Sequence, residues 1–514
     1  MALLISRRKR QEFRYRPQQF KQGNSRTLPA PYGGLNLRDD ITAMQPNEAR
    51  VLENWMTRAG TLSLRDGYES HATGAGSGQV TTLASFIGLS TSKLIAGTNG
   101  KIYDVTSAGT ATELATGFGE NTWQTALYNN RLLMVNGTDA PQHFDGSTIS
   151  ATGWSGSGLT LTNLANVGAV FSRVWFCEKN QADVWYGPIG GITGTLTKFE
   201  LSQIATGGTC TAVGSWSRDD GAGADDATVF VMSTGEIIVY QGDPGTTFSL
   251  VGKYWTAAPP IGRRCLVKVG GELVVITRLG FLPVSAAMGG VALDLSKIDP
   301  WGKIAPGVVA DVASYGGVDG WQSVLHEGIV YLQVPTVAGV VSKQRVLNTR
   351  TGTWSTFTNW PAQTLASFGN NLYLGGFGGQ IWKVGANTDN GGIISARASC
   401  AFMFPSNPQT SNMFTAIRPK VEALTNVTGQ IGVDTDFFLE PTIGESVSIA
   451  NSGGVTPWGS PWGSPWGASS AADPTWYSIT GDGRSVSVRF AMEAQTNAVQ
   501  WYATDIAFKP GGIR

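Results

Sequence analysis

Thr82-Leu83-Ala84-Ser85-Phe86 returns late in the chain as Thr364-Leu365-Ala366-Ser367-Phe368. Each copy leads into a turn, a short apolar strand, a Gly-rich turn and a second strand. The first continues as Leu94-Ile95-Ala96-Gly97-Thr98-Asn99-Gly100-Lys101-Ile102-Tyr103, the second as Leu372-Tyr373-Leu374-Gly375-Gly376-Phe377-Gly378-Gly379-Gln380-Ile381-Trp382. Alternating strands joined by tight turns and recurring at a distance are the signature of a β-propeller. A propeller is a rigid ring, so its function lies in its loops and attachments.

Working outward, the strand-turn pattern repeats from about 78 to about 388. Blade centres fall near Phe86, Leu127, Val170, Phe230, Leu273, Leu325 and Phe368. Their spacing averages about 47 residues, within the range of four-stranded blade repeats. Six or seven blades are expected. The longest interval holds Asp219, Asp220, Asp225 and Asp226, an expected insertion. Its acidic spacing fits no EF-hand loop. Val346 to Phe357 reads as a hairpin with a Thr-Gly turn and a Trp-led strand, as in kelch-type blades.

Both flanks differ from the ring. Residues 1–29 form a basic arm with Arg7, Arg8, Lys9 and Arg10, a candidate phosphate-contacting segment. Residues 30–77 form the first part of a non-contiguous β domain. Pro46 to Trp55 there reads as one short helix, with Val51, Leu52 and Trp55 on one face. Residues 78–390 are the propeller. Residues 391–514 complete the β-sandwich-like platform, with alternating strands such as Val486 to Phe490 and Trp501 to Phe508. Entering and leaving chains emerge together from a closed ring, so the flanks are expected to pack on each other. Thr456 to Gly467 carries three tandem Pro-Trp-Gly units, which present Trp458, Trp462 and Trp466. These are candidate intersubunit or adaptor contacts, because Trp is enriched at interface hot spots. Arg263 and Arg264 join them, as a pair able to grip a phosphate or carboxylate, or as a blade-edge salt bridge.

Composition narrows the function. The 514 residues include 67 Gly and 17 Trp, with only 14% charged residues. This is an all-β, turn-rich composition. Lys+Arg and Asp+Glu are both 37, so no global charge draws the chain to nucleic acid. Cys177, Cys210, Cys265 and Cys400 form no CxxC pair and read as reduced thiols in strands. The N-terminus lacks the order of a signal peptide, and no apolar run spans a membrane. Cytoplasmic synthesis without an encoded export route is expected.

Catalytic chemistry is not legible. His71, His143 and His326 are scattered. No GxSxG, HExxH or P-loop spacing occurs. The nearest match to a sialidase Asp box, Asn348 to Trp354, has Arg350 where the Asp belongs. No enzyme activity, metal or cofactor is expected.

Several segments together resemble the β-propeller tail nozzle proteins of short-tailed bacteriophages, the tail tubular protein B-like family. They are Pro31-Tyr32-Gly33-Gly34-Leu35-Asn36-Leu37-Arg38-Asp39, Glu53-Asn54-Trp55 and Leu64-Arg65-Asp66-Gly67-Tyr68. With them go Gly235 to Gly242, Gly262-Arg263-Arg264, the Pro-Trp-Gly loop and Phe508 to Gly512. The resemblance implies a structural virion protein, assembled in the host cytoplasm as a homo-hexamer at the distal tail. It would dock to the adaptor (the head-tail connector) and tail fibre proteins and enclose the channel through which genomic DNA leaves. It carries over no catalytic residue. The alternative is a receptor- or glycan-binding propeller, tail-spike or lectin-like, which the aromatic richness allows.

Overall fold

The computed structural model describes residues 24–219, 224–256, 258–289, 301–336, 342–440, 444–449 and 475–513. Arg7, Arg8, Lys9, Arg10, Trp458, Trp462 and Trp466 lie outside them. The described chain is mostly β strand, and none of its helices is long and apolar enough to cross a membrane.

Among the described residues, seven sheets of three or more strands follow one another along the middle of the chain. Their first strands are Thr82–Ile87, Gln124–Tyr128, Leu164–Val170, Cys210–Asp219, Leu266–Val269, Gln322–His326 and Thr364–Phe368. Each first strand contacts the next, and the seventh contacts the first again. The two pentapeptide repeats are both first strands, of the first and seventh sheets. Their registers correspond: Thr82 faces Gly97 and Thr364 faces Gly375, five steps from the last pair before the turn in the first copy and four in the second. They are also neighbours, with Ser85 Oγ donating to Ser367 O at 2.6 Å.

Apolar side chains fill the gaps between consecutive sheets. Phe86, Ile95, Trp123, Leu132 and Phe144 lie between the first and second. Trp175, Phe230 and Tyr240 lie between the third and fourth. Leu83, Tyr103, Tyr373 and Ile381 join the seventh back to the first. Period-2 alternation puts one set of side chains on each face, so every sheet is covered on both sides by its neighbours.

Among the described residues the fifth sheet has three strands, Leu266–Val269, Glu272–Thr277 and Gly280–Pro283. The short helix Val284–Met288 follows it directly, and further along lies the helix Ala305–Tyr315; the sequence analysis anticipated neither. Asp311 on that helix pairs with Lys343 and with Arg345, the latter at 2.8 Å, tying it to the sixth sheet. The residues Asp219 and Ala224 end the two strands of a hairpin in the fourth sheet.

Two expectations for the N-terminal flank are corrected. Residues 46–55 form no helix; Glu48–Glu53 is a strand, inserted between Thr353–Trp360 and Ile394–Cys400. Its register jumps between Ala49 and Val51, leaving Arg50 as an extra residue. A bulge shifts the alternation by one, so Ala49 and Leu52 are both fully buried. That i, i+3 spacing imitates a helical face. The second correction concerns the boundary at 77. Gly67–Thr73 leaves the flank and pairs with Ile381–Ala386, becoming the fourth strand of the seventh sheet. The chain's early segment thus closes the ring that its late segment began.

The rest of both flanks forms the platform. Val499–Ile513 pairs with Thr410–Ala423, with Asn24–Pro29 and with Thr61–Leu64. A second sheet runs from the sixth ring sheet through Glu48–Glu53 into Ile394–Cys400, Val486–Ala494 and Val427–Thr435. One continuous core holds Trp55, Phe490 and Trp501 from the platform with Val274, Phe281 and Trp354 from the ring. Ring and platform therefore share both a sheet and a core.

Asp505 ties the platform's first strand to its last. It accepts from Thr27 at 2.6 Å and pairs with Arg418 and Lys420. Burial pushes its pKa up, but these three donors outweigh burial and hold the carboxyl below its ordinary value. A depressed carboxylate contributes stability above its unfolded pKa near 3.9 and loses it as pH falls through the lower folded value. Asp505→Asn is therefore expected to lower the urea midpoint at pH 7. The gap to wild type should close as pH falls below about 4. A gap that stayed constant down to pH 2 would rule out the ionised carboxylate as its source.

Candidate functional site: the arginine pair at the centre of the ring

Gly262 stands at φ +67 just before the fifth sheet, in the left-handed region that favours glycine. The turn brings Arg263 and Arg264 across the first strands of the other sheets. Arg264 Nη1 donates to Thr81 O at 3.0 Å and Gln322 Oε1 at 2.8 Å. Its Nη2 donates to Thr82 Oγ1 at 3.2 Å and Trp123 O at 2.8 Å. One side chain from the fifth sheet thereby reaches the first, second and sixth. Gln322 continues the chain, with Nε2 donating to Leu365 O in the seventh sheet.

Arg263 Nη1 donates to Asn136 O at 2.8 Å. Its own carbonyl accepts from Asn166 Nδ2 in the third sheet at 3.0 Å, and Asn166 Oδ1 accepts from Val213 N in the fourth. Burial, reinforced by the neighbouring Arg263 charge, pushes the Arg264 pKa down to about 10. The group stays charged at neutral pH. The expected blade-edge salt bridge is corrected: the acceptors of both guanidinium groups belong to this chain and none is a carboxylate. The pull is physical, since a guanidinium offers five donors in a planar fork, and the carbonyls of Thr81 and Trp123, each just before a first strand, accept from it.

Beside the pair lies a cavity of about 300 Å³. First strands of six sheets line it, through Leu83, Gln124, Asn166, Val213, Leu266 and Ser323 among others. A smaller cavity of about 80 Å³ shares Gln124, Arg263 and Arg264 and adds Asp319.

A second polar cluster sits where the chain enters and leaves the ring. Arg65 is 1% exposed. Its guanidinium grips both oxygens of Asp389, at 2.8 and 2.7 Å. It also donates to Asn54 Oδ1, Asp66 O and Thr358 O, and lies 5.6 Å from the Trp360 ring centroid. Asn54 takes φ 60 and donates to Thr358 Oγ1 and Ser395 O. Gly67 has no room for a side chain, because a Cβ there would stand 2.0 Å from Thr388 O.

The histidines are dispersed: His71 contacts Val105 O and His326 contacts Ser367 Oγ. All four cysteines are free and buried. Among the described residues no group of three or more His, Cys, Asp or Glu side chains is gathered for a metal ion. The Arg65–Asp389 pair was missed at the sequence level, although Asn54 and Arg65 lie in segments singled out there. Nothing local linked them to a carboxylate so distant in the chain.

No family model matches the chain, and no curated protein matches it. Among solved structures, one described as YCF48 bound to D1 peptide is similar, at 11% identity and a TM-score of 0.35. The match covers 64% of this chain and 98% of that one. A crystal structure of BBS1N in complex with ARL6DN, soaked with lead, is similar at 15% identity and a TM-score of 0.28. That match covers 40% of this chain and 61% of the other. Both scores are too low to carry an argument about fold or function.

Proposed function

We propose that the chain is a structural, non-enzymatic component of a short-tailed phage tail. In this reading the seven sheets are the blades of a seven-bladed β-propeller. Copies of the chain form a nozzle ring, six in number, around the DNA exit channel, with the platform docked to the adaptor.

One observation carries the reading. Of the segments behind the family resemblance that fall among the described residues, all but Gly235 to Gly242, which lies within the fourth sheet, are joints. Gly34–Leu35 pairs with Glu48–Glu53, and Asn36 bonds Glu48 and Asp39. Asn54, Arg65 and Gly67 close the ring. Arg263 and Arg264 brace its centre. Phe508 and Lys509 lie in the long platform strand. Residues used to weld ring to platform suit a part that bears load. The shared sheet and core add to this, since close-packed interiors transmit strain rather than absorb it.

The test is the mass and shape of the purified protein, alone and with its adaptor, by mass photometry and electron microscopy. A hexameric ring coaxial with the adaptor is expected. A monomer that ignores the adaptor but binds immobilised glycans would replace this reading with the glycan-binding one.

A further inference from the structure

The cavity at the ring's centre has a lining with an unusual balance. It includes two arginines and no Asp or Glu. The five acceptors of the arginine pair are Asn136 O, Thr81 O, Gln322 Oε1, Thr82 Oγ1 and Trp123 O, all uncharged. Two further donors in the lining, Gln124 Nε2 and Ser323 Oγ, are buried and have no hydrogen-bond partner among the described residues. Gln124 is 6% exposed. Arg263 gives one of its N–H groups to Asn136, which leaves most of its fork uncommitted.

The acids that act on the pair do so from elsewhere. Asp319 lines the smaller cavity and is absent from the lining of the larger one; it acts on Arg264 through space. Glu120 acts on Arg263 through space, and its carboxylate accepts from the N–H groups of Asn121 and Thr122. Two adjacent, partly buried cations without a direct counter-charge repel each other, and unpaired buried donors add a desolvation cost. An oxygen-rich anion answers both at once, because a guanidinium fork fits oxyanions bidentately.

We propose that this cavity binds one small tetrahedral oxyanion of the phosphate class per chain. Arg263 supplies the fork, Gln124 and Ser323 supply single donors, and Arg264 supplies charge while its N–H groups hold the ring. The site is independent of the tail reading and belongs to the single chain.

Isothermal titration calorimetry of the full chain with inorganic phosphate, in a chloride buffer of constant ionic strength, tests this. Saturable binding at one phosphate per chain is expected, with a rise in melting temperature as phosphate is added. Arg263→Gln should weaken binding by about tenfold or more and shrink the phosphate-dependent rise in melting temperature relative to its own melt in chloride. Gln124→Glu puts a carboxylate into the cavity and should abolish binding, which serves as the second measurement if Arg263→Gln folds poorly. No heat and no melting shift at tens of millimolar phosphate would overturn the proposal. So would phosphate binding that neither substitution alters, since it would place the anion elsewhere.

Discussion

Arg65→Met is expected to destabilise the protein by about 3–5 kcal/mol, the range for breaking a buried ion pair from one side. The substitution keeps an unbranched apolar stem but leaves Asp389 without its partner. The Asp389 side chain is 8% exposed and that of Arg65 is fully buried. Asn54 Oδ1, Asp66 O and Thr358 O lose donors as well. Asp389→Leu should do comparable harm by stranding the cation. The double variant should recover part of the loss, because removing both charges also removes the desolvation cost. Urea unfolding of the four proteins measures this. The pair joins residues just before Gly67–Thr73 to residues just after Ile381–Ala386, the two strands that close the ring. Hydrogen exchange should therefore rise first in those strands. A loss below about 1 kcal/mol, the scale of an exposed ion pair, would show that Arg65–Asp389 is not the latch described here.

Arg264→Met is expected to cost a similar amount, about 3–5 kcal/mol, because four acceptors lose their donor in one step. Their positions in three different sheets make the loss cooperative: the first, second and sixth sheets lose their shared hydrogen-bonded tie to Arg264. Arg264→Lys is the informative companion. An ammonium keeps the charge but has three donors on a single atom, whereas the guanidinium reaches four acceptors from two. It should recover less than half of the loss in a urea melt. Full rescue by Lys would mean that charge, rather than the fork, holds the centre.

These two arginines also separate what local sequence conveys from what it does not. Arg65 and Arg264 stood out because each lies in a segment resembling a known family, yet their partners were not legible. Asp389 lies far from Arg65 in the chain, and the acceptors of Arg264 are main-chain carbonyls and neutral side chains. A carbonyl's direction is set by sheet twist and ring closure, which no residue type encodes. Arg264 on an exposed edge and Arg264 across the ring read alike as letters.

The strand repeats were determined by the sequence itself. Period-2 alternation and Gly- or Asn-rich turns are local properties, as with Asn99 at φ 51 and Gly100 at φ 71 between paired strands. The repeated pentapeptide marked equivalent strands for the same reason, since equivalent neighbours select equivalent side chains. Only the tertiary structure decided that Gly67–Thr73 belongs to the last sheet of the ring, that residues 48–53 form a bulged strand, and that a helix follows the fifth sheet. Each of these depends on partners remote in sequence. An open sheet edge must find a strand, and a one-residue bulge converts strand spacing into apparent helix spacing. The physical reason is the range of the interactions: turns and alternation act within a few residues, whereas edge pairing, buried charge and ring closure act across the whole chain.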